Sequence, residues 1–173
     1  MKNRKNIQII MLILVFIMPL AAAIMLTKNP QILQRYASTN YGKWAPHSVP
    51  WPLSTNNRAW QMALWQFNGC HDACMQQLGD LAKIRLAMGR KVYDLNLWVV
   101  VPKTKPMTEE QTKFLQNHDI QVGYFDEAMS KQWQEVFGNA PIVLVNPEKE
   151  VLLMYPMKPH AKKMFHDLQL LIK

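Results

Sequence analysis

The sequence predicts a three-layer α/β/α domain, in which a sheet that contains parallel strand pairs lies between two layers of helices. Short apolar segments of strand length alternate with segments whose apolar residues recur every three or four positions, and this alternation is typical of βαβ units. The chain has 173 residues, of which 49% are apolar and 18% are charged. It is therefore long enough for one compact domain and too apolar for a disordered tail.

The first half of the domain is predicted to be strand, helix, strand. Residues 61–67 are rich in apolar and aromatic side chains, and an Asn-Gly pair that favours a turn follows them. From Asp72 to Met88 the apolar residues recur at helical spacing, and Gly89 is a typical stop signal. Leu95–Val101 is a nearly continuous apolar run, as expected of a strand that is covered on both faces.

The second half adds three helices, a strand and a hairpin. Thr108 begins a helix that runs to about His118, and Asp126 begins a second that ends before Gly138. The remaining predicted elements are the strands Ile120–Tyr124, Pro141–Val145 and Val151–Tyr155 and a last helix that begins at Pro159. The predicted order is therefore β-α-β-α-β-α-β-β-α, in which the hairpin adds an antiparallel edge to parallel strands.

The N-terminal segment predicts a membrane anchor. Lys2, Arg4 and Lys5 precede an apolar run from Ile7 to Leu26, which as a helix spans roughly 30 Å, the thickness of a bilayer core. The positive-inside tendency places the basic tail in the cytoplasm. A cleaved signal peptide, with the alanines at 21–23 as the cleavage site, and a buried core helix are the alternatives.

These features predict a single-pass protein of a bacterial inner membrane, with its C-terminal domain in the periplasm. The segment after the apolar run is rich in Pro, Ser, Thr and Asn and is interpreted as a linker. The expected parts are a cytoplasmic tail at 1–6, an anchor at 7–26, a linker at 27–59 and the domain at 60–173.

The net charge of +8 is partly a consequence of the basic tail, which holds three of the 20 Lys and Arg residues. The other basic residues are scattered and do not form a stripe interleaved with aromatic side chains. We therefore expect no nucleic-acid partner and interpret the charge as a solvated face near anionic lipid headgroups.

The two cysteines carry the only concentrated chemistry. Cys70 and Cys74 fall at the end of the first strand and in the first turn of its helix, and their spacing puts both sulfurs on one face if that turn is helical. A helix start favours thiolates, which are the nucleophiles of disulfide exchange and soft ligands for Cu(I). His71 is a candidate third ligand or a solvent-facing polar residue. The pair is therefore a redox or metal site, a passive structural disulfide, or two inert thiols.

The motif Cys70-His71-Asp72-Ala73-Cys74 at a helix start, with the element order that follows it, resembles the thioredoxin-like Sco/SenC family. These are membrane-anchored copper and thiol proteins that serve cytochrome c oxidase assembly. Together with Ile84-Arg85-Leu86-Ala87-Met88-Gly89 and the segments 142–147 and 154–156, the motif more closely resembles a group of small bacterial transmembrane proteins associated with oxidase assembly. The resemblance covers roughly residues 60–172 and the anchor.

The resemblance implies a thioredoxin-like fold, copper as a possible cofactor, and Cys70 as the attacking thiolate. It implies a respiratory oxidase subunit, or another thiol or copper protein, as the partner. The histidine that completes the Sco copper site falls near residues 138–140, where this chain has none. Instead, Ala140 and Pro141 precede the strand, and the resemblance implies a cis proline that faces the cysteines. Thiol–disulfide exchange is thus favoured over copper binding, and a non-catalytic membrane scaffold with a structural disulfide is the alternative.

Other reactions lack their sequence motifs. The chain has no glycine-rich nucleotide loop, no Gly-x-Ser-x-Gly elbow and no His-Glu-x-x-His helix. A peroxiredoxin would carry a Pro/Thr motif before its cysteine, where Asn68 and Gly69 stand here.

Overall fold

The computed structural model of the protein describes residues 15–20, 24–25, 40–53 and 59–172. The chain divides into two compact units, Met1–Thr39 and Asn40–Lys173. The described residues of the first unit are helical. Within the described ranges, no helix is long and apolar enough to cross a membrane. The predicted cytoplasmic tail and most of the predicted anchor lie outside these ranges.

The second unit contains the strands and helices that the sequence predicts, with one additional strand before them. The strands are β1 (Lys43–Pro50), β2 (Trp60–Trp65), β3 (Leu95–Pro102), β4 (Ile120–Phe125), β5 (Ile142–Val145) and β6 (Glu150–Tyr155). The helices are α1 (Asp72–Ala87), α2 (Glu109–Asn117), α3 (Glu127–Phe137) and α4 (Ala161–Leu171), and a 3₁₀ helix spans Gly89–Asp94. From β2 onward the order is the predicted β-α-β-α-β-α-β-β-α.

The six strands form one mixed sheet in the order β1-β6-β5-β2-β3-β4. β2 pairs in parallel with β3, which pairs in parallel with β4. β5 runs antiparallel to β2 and to β6, so the predicted hairpin is present. β2 therefore lies inside the sheet with a hydrogen-bonded neighbour on each side.

Helices cover both faces of this sheet. One core cluster joins Leu78 of α1, Leu115 of α2 and Leu168 of α4 to alternate residues of the strands. The other cluster holds Trp133 and Phe137 of α3 against the opposite face. The predicted three-layer α/β/α architecture is thus confirmed.

Strand β1 was not predicted, because its segment was interpreted as part of a linker. It pairs antiparallel with β6 at the edge of the sheet, and its register shifts between Trp44 and Val49. A proline has no N–H to donate, so sheets accept it at edges and irregularities. Pro46 and Pro50 satisfy this rule, which explains why a proline-rich segment pairs with the sheet although it lacks a strand-like pattern.

A buried carboxylate ties the beginning of the second unit to its last helix. Asp167 of α4 is fully buried and accepts hydrogen bonds from the N–H of Tyr41 at 3.0 Å and of Gly42 at 2.8 Å. It also accepts one from the Tyr155 hydroxyl at 3.1 Å. Burial, with the charge of Asp167, raises the pKa of Tyr155 far above its ordinary value, so this phenol stays a neutral donor.

Replacing Asp167 by alanine is expected to lower the free energy of unfolding by about 3 kcal/mol, since each buried donor left without an acceptor costs ~1–3 kcal/mol. Urea denaturation of the full chain measures this loss. Asp80→Ala is the matched control, because Asp80 is exposed and makes only an exposed ion pair with Lys83. Equal stability of the two variants would contradict the role given to Asp167.

Candidate redox site at the start of helix α1

The central strand β2 leads directly to the cysteine pair. Its residues Met62 to Trp65 are at most 1% exposed, and four residues lie between its end and Cys70. Gly69 has φ +87°, which favours glycine, and an added Cβ would lie 3.2 Å from side-chain carbons of Lys105. This close turn sets the direction in which the chain enters α1.

Helix α1 begins after the first cysteine and before the second. His71 is the N-cap, with extended φ and ψ of −103° and −174°, and its carbonyl accepts the N–H groups of Cys74 and Met75. Cys70 therefore lies outside the helix, and a turn brings it over Cys74. Helical spacing would place the two sulfurs together if the whole motif were helical. In the structure this turn, and not helical spacing, brings them together.

The structure joins Cys70 and Cys74 in a disulfide, with the two Cα atoms 5.2 Å apart, within the range usual for such bonds. The sequence left open whether the thiols were free. Both residues are largely buried, and Cys70 is the more exposed, at 7% against 3% for Cys74.

The chain that follows β3, including the first turn of α2, holds the loop that carries Cys70. The amide Nε2 of Gln111 donates to the Cys70 carbonyl at 2.7 Å. The other end of the same side chain accepts from the Thr108 N–H at 2.9 Å and completes a capping box at the start of α2. Lys105 donates from Nζ to the Asn68 carbonyl at 3.2 Å, which places a positive charge beside the loop.

The sulfur atoms at the site are soft donors. The thioether Sδ of Met75 lies 3.6 Å from Cys70 Sγ, and this is a packing contact because a disulfide sulfur has no proton to donate. After reduction, two thiolates and a thioether fit the preference of Cu(I) for sulfur ligands. His71, the candidate third ligand, has an exposed side chain. Among the described residues no group of three His, Cys, Asp or Glu side chains is arranged to hold a metal ion.

The prediction of a cis bond before Pro141 is wrong. The peptide bonds within the described ranges include none in the cis form, and trans is the favoured form even before proline. The Pro141 carbonyl accepts the N–H of Trp65, the last residue of β2, at 2.8 Å. Pro141 thus lies beside the end of the strand that leads to Cys70.

A groove of about 720 Å³ lies between α1 and α4. Ala73, which belongs to the cysteine motif, is part of its wall, as are Met157 and Phe165. Lys83, Lys158 and Lys162 add basic groups to it.

Three residues of the site were not found from the sequence: Met75, Lys105 and Gln111. Met75 directly follows the motif, so the adjacency of a sulfur to Cys74 was a usable signal. For Gln111 the sequence offered only one indication, a capping box with Thr108 at the start of α2. Its contact with Cys70 spans 41 residues, and no local pattern marks such a contact.

A disulfide between the end of the central strand and the first turn of the next helix, in a sheet of this order, defines the class of thioredoxin-like proteins. A family model described as "Transmembrane-like, thioredoxin-like, C-terminal domain" matches residues 60–173. The chain belongs to this family. No match was found among curated proteins.

Solved structures with a similar fold include Sco/SenC proteins and thiol–disulfide oxidoreductases. An SCO1/SenC family lipoprotein from Bacillus anthracis is 15% identical, with a TM-score of 0.50, and the match covers 66% of this chain and 82% of that one. Copper-bound ScoI from Bradyrhizobium japonicum is 14% identical, with a TM-score of 0.47 and coverage of 64% and 83%. The thioredoxin domain of a thiol-disulfide oxidoreductase from Bacteroides vulgatus is 17% identical, with a TM-score of 0.48 and coverage of 79% and 100%.

The contact between Gln111 and Cys70 can be tested separately from the helix cap. Gln111→Glu keeps an acceptor for the Thr108 N–H but removes the donor to the Cys70 carbonyl and sets a carboxylate against it. We expect a loss of about 1–2 kcal/mol in the free energy of unfolding and faster reduction of the disulfide by dithiothreitol, because the loop is released.

Thr108→Ala is the matched variant, since it removes the cap and leaves the Gln111 amide in place. It is expected to cost about 1 kcal/mol without changing the reduction rate. Equal reduction rates in the two variants would show that Gln111 does not hold the cysteine loop.

Proposed function

We propose that this protein is a membrane-anchored periplasmic protein that assists cytochrome c oxidase assembly, using Cys70 and Cys74 for thiol–disulfide exchange and, when reduced, for handling Cu(I). The observation that carries the proposal is the disulfide at the start of α1, in a thioredoxin-like domain. The partner is an oxidase subunit or another thiol or copper protein.

The surroundings of the disulfide support a reactive dithiol. The first amide groups of a helix and its dipole stabilise a thiolate, and Cys74 lies in the first turn of α1. Lys105 adds a positive charge beside the loop. These groups favour the reduced, thiolate form, which makes a disulfide easier to reduce than an inert structural bridge.

The exchange reaction requires both cysteines. In the reduced protein, the Cys70 thiolate attacks a sulfur of the partner's disulfide, forming a mixed disulfide and releasing one partner thiolate. The Cys74 thiolate then attacks Cys70 Sγ, which forms the Cys70–Cys74 bond and releases the second partner thiolate. Two electrons pass to the partner, and the same steps in reverse oxidise a partner dithiol.

The membrane and oxidase parts of the proposal are supported by the sequence. Lys2, Arg4 and Lys5 followed by the apolar run Ile7–Leu26 fit a single-pass anchor with the domain outside the cytoplasm. The family description also refers to transmembrane-like proteins. The motif segments around Cys70, residue 84 and residue 142 resemble bacterial proteins of oxidase assembly.

A scaffold that binds an oxidase subunit and keeps its disulfide for stability is the second candidate. The burial of both cysteines favours it, since inert structural bridges are usually inaccessible. The two candidates differ in one measurable property, which is whether the disulfide turns over.

Trapping of an intermediate tests the exchange reaction in cells. Cys74→Ser leaves Cys70 without its resolving partner, so the mixed disulfide is expected to accumulate on the full chain and to disappear after reduction. Cys70→Ser is the control and should trap little. Trapping through Cys74 alone would reverse the assigned roles.

Equilibration of the wild-type chain with dithiothreitol gives the reduction potential of the pair, which we expect above roughly −300 mV. Oxidase assembly in cells that carry only the Cys70→Ser/Cys74→Ser protein then separates the candidates. Normal assembly by this double variant would support the scaffold and exclude a role for the cysteines.

A further inference from the structure

We infer that Met75 is the third ligand of a three-sulfur Cu(I) site, together with the reduced Cys70 and Cys74. The inference rests on the proposed function, because the two thiolates are available only when the pair is reduced. The chain has no histidine at residues 138–140 to serve as the third copper ligand. We assign that role to the thioether of Met75 on α1.

The position of Met75 is the first argument. Its Sδ lies 3.6 Å from Cys70 Sγ, and Cys70 Sγ is bonded to Cys74 Sγ, so three sulfur atoms lie together at the start of α1. The Met75 N–H donates to the His71 carbonyl at 3.0 Å. This bond places the backbone of Met75 within the first helical turn, next to Cys74.

The chemistry of the donors is the second argument. Cu(I) is selected by thiolate and thioether ligands, and the other candidate donors are directed elsewhere. His71 is exposed at the N-cap. The Sδ of Met157 accepts a hydrogen bond from Gln66 Nε2 at 3.5 Å. Met75 is thus the thioether placed against the cysteine pair in the described part of the chain.

The reaction balances without a change in the oxidation state of copper. A dithiol reductant supplies two electrons and two protons to the disulfide and becomes a disulfide itself. Cu(I) then replaces the two thiol protons, which are released to solvent. Three copper–sulfur bonds form, two to thiolates and one to the neutral thioether.

A packing role for Met75 is the competing explanation, since Met75 also lines a shallow apolar depression with Leu86 and Phe114. Met75→Leu separates the two roles, because leucine keeps a similar apolar volume and removes the sulfur. Met157→Leu is the matched control. It removes a thioether that contacts Gln66 instead of the disulfide.

The test uses the full chain, reduced with dithiothreitol and freed of the reductant without oxygen, and Cu(I) as the probe against a competing chelator. We expect about one Cu(I) per wild-type chain and at least a roughly 10-fold loss of affinity in Met75→Leu, at the low end of what loss of even an indirect metal contact costs. X-ray absorption should count three sulfur neighbours in the wild type and in Met157→Leu, and two in Met75→Leu. Met75→His should regain affinity, with a nitrogen neighbour in place of the third sulfur.

The outcomes separate this inference from the proposed function. Wild-type affinity and three sulfur neighbours in Met75→Leu would overturn the inference, as would a wild-type chain that exchanges thiols but holds no Cu(I). In either case thiol exchange stands. If the wild-type disulfide cannot be reduced, the proposed function fails and the copper site fails with it.

Discussion

The position of the cysteine pair depends on strand β2. β2 is paired in parallel with β3 along its whole length and antiparallel with β5, and helices cover both of its faces. Burial of one of its larger apolar side chains contributes about 1.5–3 kcal/mol. Displacing the strand from the sheet would lose several such contributions. The turn at Gly69 begins from this fixed end, and the disulfide therefore sits at a defined place on the sheet.

The rest of the site is added from the neighbouring strand. β3 runs parallel to β2, so the chain after both strands emerges at the same edge of the sheet. In open α/β sheets this edge, beyond the carboxyl ends of the strands, is where functional sites form. Gln111 and Lys105 both follow β3 and contact the loop before α1. The parallel pairing thus explains why residues distant in sequence hold the cysteine loop.

Much of the fold could be predicted because the signals are local. The helical spacing from Asp72 and the apolar run at Leu95 depend only on neighbouring residues, and the structure has α1 and β3 at those places. β1 was missed because a proline-rich edge strand is stabilised by its pairing with β6 and has no apolar alternation of its own. The bond before Pro141 was misassigned because its isomer was inferred from resemblance and not from the residues around it.

Of the site, only the cysteines could be predicted, because only their signal is local in the sequence. Cys70 and Cys74 are close in sequence, so their juxtaposition follows from local geometry. The contact of Gln111 with the Cys70 carbonyl depends on how β2 and β3 pair, which no short motif records. Met75 is an intermediate case, since its neighbour Cys74 was visible but the direction of its side chain toward Cys70 was not.

Burial of the pair gives a reason for oxidation state and copper binding to be coupled. The disulfide is uncharged, whereas two thiolates at positions only 7% and 3% exposed carry negative charge away from water, which is costly without compensation. The start of α1 offsets part of this cost, and Cu(I) bound to both sulfurs would offset more.

Copper and the disulfide also compete for the same two sulfur atoms, so a ligand of the reduced form stabilises that form by mass action. For a two-electron couple, each tenfold excess of Cu(I) over its dissociation constant corresponds to about 30 mV, and the shift is toward a higher potential. A site of this kind would resist reoxidation while it carries copper and become able to form its disulfide when the metal is passed on.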